Sequence, residues 1–182
     1  VKKGVDLRLN TNVTAIDKQS DGTLKLTLTG GGEMEADAIM FATGRAPSTK
    51  GLGLEQVGIE TKDNGAIKIN KGLQTSVENI YAVGDVTDHV QLTPIAIKEG
   101  MAFADTIYGG KPSVMSYHAI PTAVFSQPPV GTVGLSEEEA RAKGGEVVIY
   151  KSTFKPMRHT LSGRDEKTLM KLIVDKTTDV VL

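Results

Sequence analysis

The stretch TSVENIYAVGDVTDHVQLTPIAIKEG, residues 75–100, decides how this chain folds. Within it, the apolar run Ile80 to Val83 predicts a buried strand that stops at Gly84, and Asp85 follows at once. In open α/β folds, ligands lie beyond the carboxyl ends of strands, where a carboxylate can accept hydrogen bonds from ligand hydroxyl groups. The spacing alone leaves an alternative open, because Gly-Asp after a strand is common and Asp85 could merely cap a turn.

The end of the same stretch predicts a helix over residues 94–108. Apolar residues recur there at helical spacing, Thr93 is a good N-cap, and Pro94 suits the first helical position. The first turn of such a helix offers unpaired N–H groups and the positive end of the helix dipole, which favour an anionic or carbonyl-rich ligand. With Asp85 close by, this predicts one extended ligand that carries sugar-like hydroxyls at one end and an electron-accepting ring at the other.

The composition limits the functions that are open to this chain. It has 182 residues, a formal net charge of -1 and no cysteine. A domain takes about 100 to 200 residues, so the length fits one domain or pieces of several. The near-neutral charge gives no reason to expect a nucleic-acid or anionic-membrane partner, and no apolar stretch approaches the roughly 18 residues of a membrane span. The lack of cysteine rules out a disulfide framework and fits a reducing compartment such as the cytoplasm.

The first block of sequence reads as strands. Alternation at residues 7–9 and 24–28 is typical of half-buried strands, and Gly30 to Gly32 supplies a hairpin reversal between strands. The run ADAIMFAT, residues 36–43, loses the alternation and therefore predicts a strand that is covered on both faces.

Further along, the sequence predicts one more short helix and several short strands. Ser136 is predicted to cap a helix that runs to Arg141, with Glu139 at the third helical position as in a capping box. The strands are predicted at residues 66–69, 80–83, 124–125, 130–133, 146–154 and 168–175. The predicted fold class is α/β (α+β).

Five segments, in order along the chain, carry a family resemblance. TSVENIYAVGDVT resembles the second flavin-binding motif of the FAD-dependent pyridine nucleotide-disulfide oxidoreductases, in which the aspartate binds the ribityl chain of FAD. The other four similar segments are FATGRAPSTKGLGLEQVGI, LTPIAIKEG, IPTAVFSQPPVGTVGLSEEEA and FKPMRHTLSG. The resemblance implies an enzyme that uses FAD and NADPH and works as a homodimer.

The resemblance also implies roles for residues of this chain. Asp85 would bind FAD, and the backbone of Thr93 would meet the pyrimidine side of the flavin. Arg45 could contact a cofactor phosphate or cap the adjoining strand end, and both alternatives stay open. Three further residues would lie along the NADPH side, although each has a simpler alternative as a turn, a solvated loop residue or a packed strand position: Gly44, Gln91 and Ala123.

Within this family, the chain resembles the glutathione and trypanothione reductases more than dihydrolipoamide dehydrogenase. LTPIA and PPVGTVGL carry that resemblance, and FKPMRHTLSGRDEKTLMKLIVD is similar to bacterial glutathione reductases. Met157 would then line the pocket for glutathione disulfide. Met101 departs from the family pattern, because an Arg often stands there and binds a glutathione carboxylate. Trypanothione, dihydrolipoamide and mercuric reductases therefore remain alternatives.

Four parts of the family pattern have no counterpart in this sequence. They are the first FAD-binding glycine motif, the redox-active cysteine pair, the NADPH-binding glycine motif and the C-terminal His-Pro. No catalytic residue is therefore assigned to this chain, and its three histidines offer neither the His-Pro pattern nor a metal-site spacing. VKKGVDLRL opens inside a strand pattern and KTTDVVL stops on one, so we expect an excerpt of a longer enzyme, inactive by itself.

The resemblance implies a division of the chain into three incomplete domains. Residues 1–46 would end the NADPH-binding domain, 47–115 would form the returning segment of the FAD-binding domain, and 116–182 would begin the dimerisation domain. A different class of function also stays open, namely a non-catalytic module that associates with a partner subunit or binds flavin weakly.

Overall fold

Short antiparallel sheets, two α-helices and long packed loops build residues 4–182, the part of the chain that the computed structural model describes. The mixture of strands and helices confirms the predicted α/β (α+β) class. The strands are β1 Val13–Lys18, β2 Leu24–Leu28, β3 Glu33–Ala36, β4 Thr122–Val124, β5 Val130–Thr132, β6 Val147–Phe154 and β7 Thr168–Asp175. The helices are α1 Thr93–Ile107 and α2 Glu137–Ala142, and 3₁₀ turns lie at Glu55–Val57, Gly84–Thr87 and Met157–His159.

The first sheet is a three-stranded antiparallel meander with β2 at its centre. Leu26 and Leu28 on β2 are buried, as the alternation in the sequence predicts. Gly30 and Gly31 connect β2 to β3 with φ values of 88° and 85°, a region that glycine reaches without the steric cost of a Cβ. The predicted reversal at this glycine run is confirmed.

Two predicted strands of the first block are wrong. Residues 7–9 form no strand, and β3 ends at Ala36, so that 37–43 is irregular. Met40 is 88% exposed in that segment. A strand that is covered on both faces needs neighbouring strands and two packed layers, and no segment within residues 4–182 supplies them there. The beginning of the first strand pattern, at residues 1–3, lies outside the described residues.

A packed loop region, not a sheet, forms the hydrophobic core before α1. Leu54, Ile59, Ile67 and Ala82 form the buried cluster. The strands predicted at 66–69 and 80–83 are reduced to single bridges, because backbone groups there bond mainly to loops. The Ala82 N–H, for example, donates to the Leu73 carbonyl at 3.0 Å.

Helix α1 confirms the predicted helix, but its N-cap is displaced by one residue. Leu92 is the N-cap in an extended conformation, and its carbonyl accepts hydrogen bonds from the N–H groups of Ile95 and Ala96. Thr93 is therefore the first helical residue and caps nothing with its side chain. Pro94 fits within the first turn, since its missing N–H removes no intrahelical hydrogen bond.

The last third of the chain follows the predicted pattern, except that the strand predicted at 124–125 lies at Thr122–Val124. Strands β4 and β5 pair antiparallel, and β6 pairs with β7 along its whole length. Ser136 and Glu139 form the predicted capping box at the start of α2. The Glu139 N–H donates to the Ser136 hydroxyl at 3.2 Å, and the Ser136 N–H donates to the Glu139 carboxylate at 2.8 Å.

Two features are absent from residues 4–182. None of the helices there combines the length and the apolar character that a bilayer crossing needs. The same residues contain no cluster of three or more His, Asp or Glu side chains that could hold a metal ion.

Candidate functional site

The Gly84–Thr87 turn lies where the apolar run 80–83 ends, and its first residue must be glycine. Val83 is extended, with φ -136° and ψ 156°, and Gly84 then turns with φ +75°. A Cβ on Gly84 would lie 3.1 Å from the Cβ of Ala96 in α1. A residue without a side chain therefore allows the turn to pack directly against the helix.

The carboxylate of Asp85 stands at the open side of this turn. Its side chain is 48% exposed, and its Oδ2 lies 3.5 Å from Nη1 of Arg45, which is 77% exposed. Within residues 4–182 the Asp85 carboxylate accepts no capping hydrogen bond from the backbone, so its geometry differs from that of a simple turn cap. The Asp85 carboxylate is thus a solvent-exposed hydrogen-bond acceptor. The long, cationic side chain of Arg45 lies beside it.

Glu99 supports the same turn from behind, and the sequence analysis missed it. It lies on the buried face of α1 and is 1% exposed. Its Oε2 accepts a hydrogen bond from the Gly84 N–H at 2.6 Å, and its Oε1 accepts one from the Tyr117 hydroxyl at 2.6 Å. A carboxylate at helical spacing from the apolar Ile95 and Ala102 was the available signal, because charged residues are almost never fully buried without partners.

Tyr117 connects this network to the segment that follows α1. Its ring stacks on His89, with centroids 5.3 Å apart and an interplanar angle of 22°. Partial burial raises the pKa of the Tyr117 hydroxyl above its ordinary value, and the hydrogen bond to the Glu99 carboxylate raises this pKa further. The hydroxyl therefore remains a donor throughout the neutral pH range.

The loop after the turn is held by side-chain hydrogen bonds. Asp88 has a left-handed backbone, with φ 50°, and its carboxylate accepts from Nδ2 of Asn64 at 2.7 Å and from Nε2 of Gln91 at 3.0 Å. Nζ of Lys62 donates to the carbonyls of Thr87 and Asp88 at 3.0 and 3.2 Å. Gln91 is thus a half-buried loop residue whose side chain is hydrogen-bonded to Asp88, and its role stays a prediction.

Helix α1 presents its first turn next to the Gly84–Thr87 turn. The backbone N–H of Thr93 has no hydrogen-bond partner within residues 4–182, and the residue is exposed. Together with the helix dipole, this N–H favours a carbonyl-rich or anionic group. The Asp85 carboxylate is therefore an exposed acceptor, and the first turn of α1 carries an exposed donor.

The structure brings only some of the predicted site residues together. Gly44, with φ +128°, directly precedes the Arg45 that pairs with Asp85. Ala123 lies on β4, opposite Gly131, and is exposed within the described residues, and its role stays a prediction. The two methionines are also exposed, Met101 on α1 by 61% and Met157 in a separate 3₁₀ turn by 90%.

Two family models match most of this chain. The model of the pyridine nucleotide-disulphide oxidoreductases matches residues 1–100, and the model of the dimerisation domain of the same family matches residues 120–182. The chain belongs to the pyridine nucleotide-disulphide oxidoreductases. Arg45, the Gly84–Thr87 turn and Glu99 fall in the first match, Tyr117 lies between the two matches, and the sheets β4–β5 and β6–β7 fall in the second.

Several similar proteins are glutathione reductases. The chain is 53% identical to glutathione reductase of Burkholderia cepacia, over 100% of this chain and 40% of that protein. It is 46% identical to the chloroplastic/mitochondrial glutathione reductase of Pisum sativum, over 98% of this chain and 32% of that protein. Identity to trypanothione reductase of Trypanosoma congolense is 42%, over 96% and 36% of the two chains. This chain therefore spans about two fifths or less of the length of these relatives.

A solved structure resembles the whole chain. The HOCl-induced flavoprotein disulfide reductase RclA of Escherichia coli superposes with a TM-score of 0.88 at 31% identity. The match covers 100% of this chain and 41% of RclA. The short sheets and exposed apolar segments described above thus correspond to part of a larger chain in that protein.

Proposed function

We propose that this chain is part of an FAD-dependent, NADPH-linked glutathione-disulfide reductase that maintains thiol balance in the cytoplasm. The observation that carries the proposal is the ranking of identities across the chain. Glutathione reductases share 46 to 53%, trypanothione reductases 40 to 42%, and RclA 31%. The chain spans only part of each relative, so the activity, substrate and partner of the whole protein are all part of this proposal.

The residues around the Gly84–Thr87 turn fit the ribityl and pyrimidine parts of FAD. Asp85 offers a solvent-facing acceptor for ribityl hydroxyls, and Thr93 offers an unpaired N–H for a pyrimidine carbonyl. The missing Cβ of Gly84 lets this backbone lie close to α1. Arg45, at 3.5 Å from Asp85, offsets part of the carboxylate charge without covering it. Bound FAD supplies a ring that accepts a hydride and passes electrons onward.

The NADPH side and the substrate side are assigned by the same resemblance. We assign Gly44, Gln91 and Ala123 to the NADPH side. The hydrogen bond that fixes Gln91 to the Asp88 loop supports a positioned residue at that point. The exposure of Met101 and Met157 supports apolar contacts to a disulfide substrate, because these side chains are free to pack against a ligand. The proposed substrate is glutathione disulfide.

The chain by itself has no group that can exchange with a disulfide. It has no cysteine, and a thiolate is the nucleophile in thiol-disulfide exchange. We therefore propose that the rest of a longer protein supplies the dithiol, and that residues 1–182 alone do not turn over. In that protein residues 1–46, 47–115 and 116–182 belong to the NADPH-binding, FAD-binding and dimerisation domains, and the last part pairs two subunits into a homodimer.

NADPH oxidation by the full-length flavoprotein tests this proposal. The rate is measured with glutathione disulfide, with trypanothione disulfide and with mercuric ion, and NADH-linked lipoamide turnover is measured alongside. Glutathione disulfide should give the highest kcat/KM, and the 182-residue chain alone should give no turnover. Faster turnover of any rival substrate would replace the substrate assignment. Flavin binding or subunit association without any turnover would support a non-catalytic module instead.

A further inference from the structure

The most buried ionisable side chain of the site, Glu99, has no part in the proposed redox chemistry. It is 1% exposed. Burial of a carboxylate costs several kcal/mol unless hydrogen bonds compensate for the lost water. A residue that serves only the packing of α1 would be better apolar at this position, so the carboxylate calls for a specific partner.

The Glu99 carboxylate accepts two hydrogen bonds, and both are short. The Gly84 N–H and the Tyr117 hydroxyl each lie 2.6 Å from one of its carboxylate oxygens. Hydrogen bonds to an ionised acceptor are shorter and stronger than neutral ones. No Lys or Arg within residues 4–182 forms an ion pair with Glu99, so these two donors carry its stabilisation.

The two donors to Glu99 lie in different parts of the chain. Gly84 directly precedes Asp85, so the hydrogen bond to Gly84 fixes the peptide from which the proposed flavin ligand projects. Tyr117 lies just before residue 120, where the match to the dimerisation model begins, and its ring stacks on His89 in the loop between the turn and α1. One side chain therefore joins the turn, the helix and the entry to the dimerisation part.

We propose that Glu99 is a positioning residue for the flavin: it holds the Gly84 amide, and through it Asp85, and ties this turn to Tyr117. The inference rests on the proposed function, since it concerns the same FAD site. Glu99 touches no cofactor atom itself. It acts by restricting the backbone at Gly84, which reduces the ordering that FAD binding would otherwise require.

Two substitutions separate this role from general helix packing. Glu99→Gln keeps the size and one acceptor oxygen but removes the charge. Tyr117→Phe removes one donor and leaves the hydrogen bond to Gly84 intact. Glu138→Gln is the matched control, since Glu138 is an exposed glutamate in the first turn of α2.

The measurements are the FAD dissociation constant of the apoprotein, prepared from the full-length flavoprotein, and the hydrogen-exchange rate of the Gly84 amide. Glu99→Gln should weaken FAD binding about tenfold, because a neutral amide replaces the carboxylate that accepts from the Gly84 N–H, and should speed exchange at Gly84. Tyr117→Phe should have a smaller effect on both, and Glu138→Gln should have none. The flavin visible circular dichroism of Glu99→Gln should change, which a loss of packing elsewhere would not cause.

The experiment distinguishes failure of the positioning role of Glu99 from failure of the proposed function. Wild-type FAD affinity and slow Gly84 exchange in folded Glu99→Gln would overturn the positioning role and leave the proposed function intact. If the wild-type protein binds no FAD, the proposed function and this inference both fail. Should Glu99→Gln not fold, Tyr117→Phe with unchanged FAD affinity and faster unfolding would overturn the proposed tie between the flavin turn and Tyr117.

Discussion

Replacing Gly84 with alanine tests the close contact on which the candidate site is built. Gly84 has φ +75°, a left-handed conformation that side chains disfavour. An added Cβ would also lie 3.1 Å from the Cβ of Ala96 and 4.0 Å from its Cα. The substitution therefore combines a backbone penalty with a steric one, and both fall on the residue that precedes Asp85.

The two penalties can be estimated separately. A left-handed residue with a Cβ costs about 1 to 2 kcal/mol. Overpacking by one methyl group against a helix costs about 1 to 3 kcal/mol. Gly84→Ala should therefore lower the free energy of unfolding by about 2 to 5 kcal/mol, a large share of the roughly 5 to 15 kcal/mol of a typical domain.

Urea unfolding with a matched glycine isolates the steric part. Gly58 has φ +78°, and no heavy atom would lie within 4 Å of an added Cβ. Gly58→Ala should therefore lower the free energy of unfolding by the backbone penalty alone. The loss of unfolding free energy should be about 1 to 3 kcal/mol larger for Gly84→Ala than for Gly58→Ala, with equal m-values. Combining Gly84→Ala with Ala96→Gly should recover most of that excess, after allowance for about 1 kcal/mol of lost helix propensity.

Equal losses for Gly84→Ala and Gly58→Ala would refute this reasoning. They would mean that α1 moves away at no cost and that the turn is not pressed against the helix. A double substitution less stable than Gly84→Ala by the full helix penalty of about 1 kcal/mol would have the same meaning, because removing the Ala96 methyl group would then recover nothing.

Two further predictions concern the capped helix α2. Hydrogen bonds from Lys171 and then Arg141 lower the pKa of Glu137 to about 2, so its stabilising effect is present above the ordinary value of 4.5 and is lost as the pH falls toward 2. Glu137→Gln should therefore flatten the fall in thermal stability between pH 5 and pH 2, and an unchanged acid profile would contradict this. Ser136→Ala removes a side-chain cap and should lower the free energy of unfolding by about 1 kcal/mol, whereas Ser136→Thr should lose only a few tenths, as urea unfolding of both would show.

Elements whose cause lies in a few neighbouring residues were predictable from the sequence. The capping box at Ser136 needs only Glu139, and both hydrogen bonds form as predicted. The glycine reversal between β2 and β3 needs only residues that accept positive φ. Strands β6 and β7 each need only one patterned run, and their ends lie within one residue of the prediction, although their pairing was not predicted.

Strands that depend on distant partners were not predictable in the same way. The run at 36–43 has the composition of a buried strand, but burial is a property of the layers around it, and Met40 is 88% exposed here. At residues 80–83 the predicted burial holds for Ala82, while Val83 is 37% exposed and the hydrogen bonds go to loops in place of strands. A hydrophobic pattern predicts which residues are buried better than it predicts which elements pack against them.

In the candidate site, too, features set by neighbouring residues were predictable, and features that depend on distant residues were not. The start of α1 follows from a short motif and was predicted, apart from a one-residue shift of the N-cap from Thr93 to Leu92, while the role of Asp85 stays a prediction. Glu99 was missed because its partners lie 15 and 18 residues away in the sequence. Only the folded backbone brings the Gly84 amide and the Tyr117 hydroxyl to one carboxylate.

The FAD affinity of an Asp85→Ala apoprotein, measured by flavin fluorescence titration, tests the central claim most directly. Asp63→Ala, an exposed aspartate before the site, serves as the control. Loss of a charge-assisted hydrogen bond to the ribityl chain should weaken FAD binding by about tenfold or more, at about 1.5 to 3 kcal/mol, while the control should bind as the wild type does. Equal FAD affinity in the wild type and in Asp85→Ala would contradict the assignment of this turn as the flavin site.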